Sequence, residues 1–158
     1  MINARHDNPK RRREAGFSLA EILAVIALIG IVVAIGIPLV NQQLKIAEAR
    51  GAADLMAVHM RAARMIAVSQ HRDVPFTVNA TPTNTYSYDP TLGVPRTITM
   101  PGTVNITTGS TATITFRSDG SATAVGSVVL ESAVPNAIER WTLAVNLMGL
   151  VSITHVRV

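Results

Sequence analysis

The chain has 158 residues, no cysteine and a formal charge of +4, with a sequence pI near 10.3. Five of its fourteen Lys and Arg and two of its ten Asp and Glu lie in residues 1–16, so the remainder carries nine cations against eight acids. That near balance argues against nucleic-acid binding, which needs clustered cations, and the missing cysteines exclude a disulfide scaffold.

The first element in chain order is a basic leader, Lys10-Arg11-Arg12-Arg13, ending in the small Gly16. Phe17 follows, and an apolar helix begins that carries one acid, Glu21. From Ile22 to Val40 there are nineteen residues without a charge. At about 1.5 Å per residue they span ~28 Å, close to the thickness of a bilayer core. The basic leader should stay on the cytoplasmic side and the rest should lie outside it, in the periplasm of a two-membrane cell. A secretory signal also starts basic and turns apolar, but its small-residue cut follows the apolar run. Here Val40-Asn41-Gln42-Gln43-Leu44 offers no such site, and the small residue precedes the run. A plain signal anchor is the remaining alternative.

The order of cations, glycine, phenylalanine and an apolar run with one glutamate resembles the N-terminal signature of type IV pilins and of the pseudopilins of type II secretion. The resemblance rests on Lys10, Arg11, Arg12, Arg13, Gly16, Phe17 and Glu21. It implies a prepilin leader over 1–16, cut by a membrane peptidase between Gly16 and Phe17, with methylation of the new Phe17 amine. It also implies that Glu21 pairs with the N-terminal amine of a neighbouring subunit during assembly. A carboxylate within an apolar helix is costly unless paired; a solvated acid near the helix end is the alternative. Gly30 and Pro38 loosen the helix, since proline removes a hydrogen bond and glycine has no side chain to restrain the turn. In similar filaments the helix stretches between such residues.

Beyond the apolar run (17–40) the helical pattern continues over 41–71. Leu44, Ala47, Gly51, Leu55, Val58, Ala62, Met65 and Ser69 form one stripe at spacings of three and four. Ile46, Ala49, Ala53, Met56, Met60, Ala63 and Ala67 form a second. One can pack on a domain while the other faces neighbouring subunits; a single broad face made of alanines is the alternative. The whole helix is expected from about Phe17 to Gln70, ~80 Å, too long to bury itself on a domain of ~90 residues.

From Val74 the texture turns to threonine, valine, glycine and proline, which reads as short strands: 74–78, 85–88, 96–100, 104–107, 112–116, 127–131, 140–146 and 150–154. Asp119-Gly120 supplies a tight turn, and Met148-Gly149 turns the final hairpin. Thr81 to Pro101 holds four prolines with Tyr86 and Tyr88. It is expected to be a variable loop whose tyrosines anchor a partner; alternatively they cap a sheet edge.

Three of these segments resemble the GspH/FimT-type minor pseudopilins and minor pilins: Leu55 to Ala67 leading into Val74, Ile114 to Ala122, and Trp141 to Ile153. The resemblance implies an α+β, pilin-like fold, a long helix laid against an antiparallel β domain of two small sheets over 72–158. It implies a single-pass inner-membrane subunit of a type II secretion pseudopilus or type IV pilus, in the tip or initiation complex. The partners implied are the prepilin peptidase, other major and minor pilins or pseudopilins, and an inner-membrane assembly platform. Some FimT-type pilins bind DNA through arginines after the final glycine. Here that place reads Gly149-Leu150-Val151-Ser152-Ile153, so DNA binding is the weaker alternative. The four histidines, His6, His59, His71 and His155, show no partner spacing of a catalytic or metal site, and no phosphate loop is present. The chain reads as the substrate of a peptidase, with no cofactor and no catalytic residue of its own.

Overall fold

The computed structural model describes residues 17–135 and 137–158. The leader, Gly16 included, lies outside them. One helix, α1 (Leu19–Ser69), is followed by eight strands: β1 (Val74–Asn79), β2 (Thr85–Thr91), β3 (Val94–Thr99), β4 (Asn105–Ile106), β5 (Thr113–Phe116), β6 (Gly126–Val134), β7 (Ala137–Val145) and β8 (Val151–Arg157). They form two four-stranded sheets, ordered β3-β2-β1-β5 and β4-β6-β7-β8. The chain divides into a unit up to Pro38 and a second, Leu39–Val158, that contains both sheets.

Both helix ends have local causes. Ser18 caps the start: its hydroxyl accepts from the Ala20 amide at 3.2 Å and its carbonyl from Glu21 and Ile22. At the other end His71 adopts φ 51°. The Arg72 amide donates to the Ala67 carbonyl at 3.1 Å and the His71 amide to Val68 at 3.4 Å. This is the paired bonding that ends a helix through one left-handed residue.

In the second unit the helix buries Ala49, Ala52, Ala53, Met56, Ala57, Met60, Ala63 and Ala67. Leu44, Leu55, Val58 and Met65 of the other stripe are exposed. The small-residue stripe therefore packs on the β domain and the bulky stripe does not. Alternate residues of the sheets complete the core: Phe76, Tyr86, Ile114 and Phe116 from one, Leu130, Trp141 and Leu143 from the other. Asn84 ties the sheets together. Its side-chain amide donates to the Val104 carbonyl, and its oxygen accepts from the Ile106 amide at 2.7 Å.

The region from Thr81 to Pro101 differs from expectation. It is chiefly the β2–β3 hairpin, which turns at Gly93 with φ 79°. Tyr86 and Tyr88 point into the core with 1% and 5% of their surface exposed, so they are not the partner anchors expected of them. Both are stacked on Phe76, with centroids 5.4 and 6.1 Å apart. Aromatic rings in phase on one strand face go inward, where burial gains most.

Candidate functional site

The surface of the first unit is unlike that of a folded soluble chain. Every large apolar side chain from Ile22 to Val40 is exposed, as are Phe17 and Leu19. Glu21 lies in the first helical turn, and Phe17, Glu21, Ile22, Val25 and Ile26 line one shallow groove. A carboxylate at a helix N-terminus is favoured by the helix dipole. The surrounding apolar surface excludes water once it is covered, and a covered Glu21 then requires an opposite charge. The segment contains Gly30 and Pro38, with Pro38 inside the helix. It is the one helix among the described residues long and apolar enough to cross a membrane. Large contiguous apolar exposure marks lipid or protein contact.

In the β domain, three distant stretches meet at one point. Arg64 of α1 donates through Nε to the Gly120 carbonyl at 2.7 Å. Gly149, at φ 72°, lies so close that a Cβ there would fall 2.2 Å from the Gly120 oxygen and 2.9 Å from Arg64 Nε. Ser121, whose amide donates to the Asp119 carboxylate at 2.8 Å, holds that carboxyl below its usual range. A cleft of about 410 Å³ opens here, lined by Arg64, Asp119, Ser121 and the exposed Leu147, Met148 and Leu150. Its only cation is engaged by a carbonyl, an acid sits beside it, and its rim is apolar. A cation so engaged, with an acid beside it, is ill placed to hold phosphate. Helix, Asp-Gly turn and final glycine were each visible in the sequence; their convergence was not.

A second cluster escaped the sequence reading. Glu139 is 2% exposed. It is bonded to His155 Nε2 at 2.7 Å and approached by Arg157 Nε at 3.4 Å, with His155 stacked on Trp141 at 4.7 Å. The signal was available: Glu139 alternates in phase with Trp141, Leu143 and Val145, so strand periodicity turns it inward. These contacts hold the last strand to its neighbour.

His59, in contrast, is half-buried on α1, its Nδ1 2.7 Å from the Tyr86 hydroxyl and its ring 5.3 Å from Tyr88. Burial, then Arg96, lower its pKa below 6.5. Burial, reinforced by Tyr88 and offset by Arg96, pushes the Tyr86 phenol up to about 12. The unfolded chain takes up a proton at His59 before the folded chain does. This contribution to stability is therefore complete above pH 6.5 and is lost as pH falls through the lowered folded value. Thermal unfolding from about pH 7.5 to about pH 5.5 should show a larger fall in Tm for the native chain than for His59→Gln; equal falls would contradict this assignment. Among the described residues no cluster of His, Asp and Glu could hold a metal.

Against this geometry the comparisons with known proteins are direct. Residues 52–149 match the family model of the type II transport protein GspH. The chain belongs to that family. Residues 11–37 match the prokaryotic N-terminal methylation motif, and the GspH match takes in Arg64, Gly120 and Gly149 together. The chain is thus a GspH/FimT-type minor pilin or pseudopilin of a type II secretion system or type IV pilus, and its methylation motif implies prepilin processing and assembly with other pilins. No curated protein is similar to it at a significant level. Among solved structures it is similar in fold to the type IV minor pilin FimU of Pseudomonas aeruginosa. The match has a TM-score of 0.55 and 15% identity, and covers 68% of this chain and 89% of FimU. A second crystal form of FimU gives 0.49 at 16% identity, covering 66% and 91%. The pilin-like fold expected from the sequence, one long helix on two antiparallel sheets, is the fold observed.

Proposed function

We propose that this GspH-family chain is a non-enzymatic subunit of the tip or initiating complex of its filament. The leader 1–16 is removed between Gly16 and Phe17. The 17–40 segment is held once across the inner membrane, leader side cytoplasmic, until an assembly platform extracts it. The 41–71 half of the helix and the 72–158 domain then lie in the periplasm. The observation that carries this reading is the uncharged run from Ile22 to Val40, its large apolar side chains all exposed, that follows Phe17 and Glu21. A surface of that kind needs lipid before assembly and neighbouring helices after it. Gly30 and Pro38 give the helix room to stretch when it changes surroundings. A filament shaft is built by its abundant subunits. The β domain here, with its apolar cleft rim of Leu147, Met148 and Leu150, suits specific contacts with a few other minor subunits.

The test is Glu21→Ala. Membrane insertion should be unchanged, because the helix becomes more apolar. Incorporation into filaments should fall by at least about tenfold, the result of losing a pairing of roughly 1.4 kcal/mol or more. Normal incorporation of Glu21→Ala would leave Glu21 as a solvated acid and remove the pairing. The DNA-binding alternative has no support in the final hairpin, where Leu147, Met148 and Leu150 surround Gly149 and Asp119 lies close by.

A further inference from the structure

Sheet edges are points of uncontrolled pairing, and three of the four here are shielded. β3 carries Pro95 and Arg96, and its pairing with β2 shifts register between Tyr88 and Thr91. The outer side of β5 receives the Thr123 amide on the Thr115 carbonyl at 2.9 Å and a bridge from Phe116 to Ala122. β4 is two residues long. These are the usual protections of an edge. β8 is the least shielded: it is a seven-residue edge strand, Val-Ser-Ile-Thr-His-Val-Arg, without proline, bulge or covering main chain, and its one Arg stands at its end.

Its hydrogen bonds show what is left open. Ile138 and Val158 exchange both main-chain bonds at 2.9 Å. The register then pairs Arg140 with Val156, Thr142 with Thr154 and Ala144 with Ser152. Even-numbered residues of β8 therefore bond to β7, and Val151, Ile153, His155 and Arg157 direct their main-chain groups outward. Among the described residues only the Val151 carbonyl has a partner there, Arg61 Nη2 at 3.5 Å. Beside the edge runs a cleft of about 390 Å³, between Ile46, Arg50 and Asp54 of the helix and Trp141, Ile153 and His155 of the sheet. Arg50 faces Asp54 across 3.9 Å. An exposed cation stands at each end of the edge, Arg61 by Val151 and Arg157 at the close of the strand. The residues between them, from Ser152 to Thr154, are uncharged.

We propose that the open edge of β8 docks an extended segment of another protein, uncharged through its middle and carrying a carboxylate at each end. That segment adds antiparallel to β8 as a further strand. The main chain supplies the affinity, the alternate side chains enter the cleft, and the terminal carboxylates meet Arg61 and Arg157. A second copy of this chain fits poorly. Its own β8, laid antiparallel, would bring its Arg157 opposite Val151 and against Arg61, and like charges facing across strands repel. The inference holds for either kind of filament.

The test uses the full chain in detergent micelles and a capped heptapeptide probe, Asp-Thr-Val-Thr-Val-Thr-Glu, whose valines would face the cleft. At about 1 mM probe, amide exchange at Ile153, His155 and Arg157 should slow by about tenfold or more, while Ser152 and Thr154, already bonded to β7, should not change. A probe with proline in place of the valines should have no effect. Ile153→Pro, which removes an outward donor at an edge position that tolerates proline, should abolish the slowing with the near-ultraviolet signal of Trp141 retained. Arg61→Glu, at an exposed position, should reverse the preference toward a lysine-ended probe. Absence of slowing, equal slowing at odd and even residues, or indifference to Arg61→Glu would overturn the proposal. Slowing that grows with protein concentration without any probe would overturn it in favour of self-pairing.

Discussion

Gly149→Ala is expected to destabilise the β domain by roughly 3–5 kcal/mol, the largest effect of any single methyl group in this chain. Two costs coincide. The φ of 72° is a left-handed conformation that alanine adopts only with strain. The added Cβ would also lie 2.2 Å from the Gly120 carbonyl and 2.9 Å from Arg64 Nε. The first neighbour is backbone and cannot turn aside. The clash therefore separates the final hairpin from the Asp-Gly turn and breaks the 2.7 Å bond from Arg64. Gly126→Ala should cost less only because no left-handed φ adds to its clash: its Cβ would meet Cγ1 and Cδ1 of the buried, β-branched Ile114 at 2.7 and 2.8 Å, and that side chain has little room to shift. Gly102→Ala meets nothing within 4 Å and should stay within about 0.5 kcal/mol of the native chain. Urea unfolding followed by the fluorescence of Trp141, the one tryptophan, measures all three. A Gly149→Ala chain as stable as the Gly102→Ala control would disprove the three-way packing.

The second large effect falls on Tyr86 and Tyr88. Removing either ring from the core, by Tyr86→Ala or Tyr88→Ala, should cost about 3–5 kcal/mol. Tyr86→Phe keeps the ring on Phe76 but takes the hydroxyl from His59, and should cost about 1 kcal/mol. A surface role for these tyrosines requires the reverse: stability nearly unchanged and binding lost. Their burial makes the first outcome the expected one, and an unchanged urea midpoint for Tyr86→Ala would contradict it.

Why these tyrosines were misplaced while so much else was legible is a matter of period and punctuation. The helix from Leu19 to Ser69 follows its apolar spacing, and each expected strand has a counterpart within a few residues. The two helical stripes were both readable, but periodicity is symmetric between them. Packing decides: the stripe turned to the sheets sets Met56 and Met60 into the core and lets the helix approach closely at Ala49, Ala53, Ala63 and Ala67, while Leu44, Leu55 and Met65 stay exposed. Around Tyr86 the four prolines suggested a loop. Pro95 instead sits on the edge strand β3, where a missing donor is harmless, and Pro90 lies at the register shift between Tyr88 and Thr91. The alternation of Tyr86 and Tyr88 on β2 was the better signal. Glu139 shows the same lesson, since its phase on β7 turned a carboxylate inward toward His155 and Arg157. Contacts that join residues far apart in sequence, such as Arg64 with Gly120 and Gly149, leave no periodic trace.

The methylation motif over residues 11–37 and the exposed apolar helix that follows support the proposed processed N-terminus at Phe17. Mass spectrometry of the protein extracted from membranes and from sheared filaments tests it most directly. The expected mature species begins at Phe17, with a methyl group on its amine. An intact leader in assembled filaments, or a cut beyond Val40, would contradict the filament-subunit account.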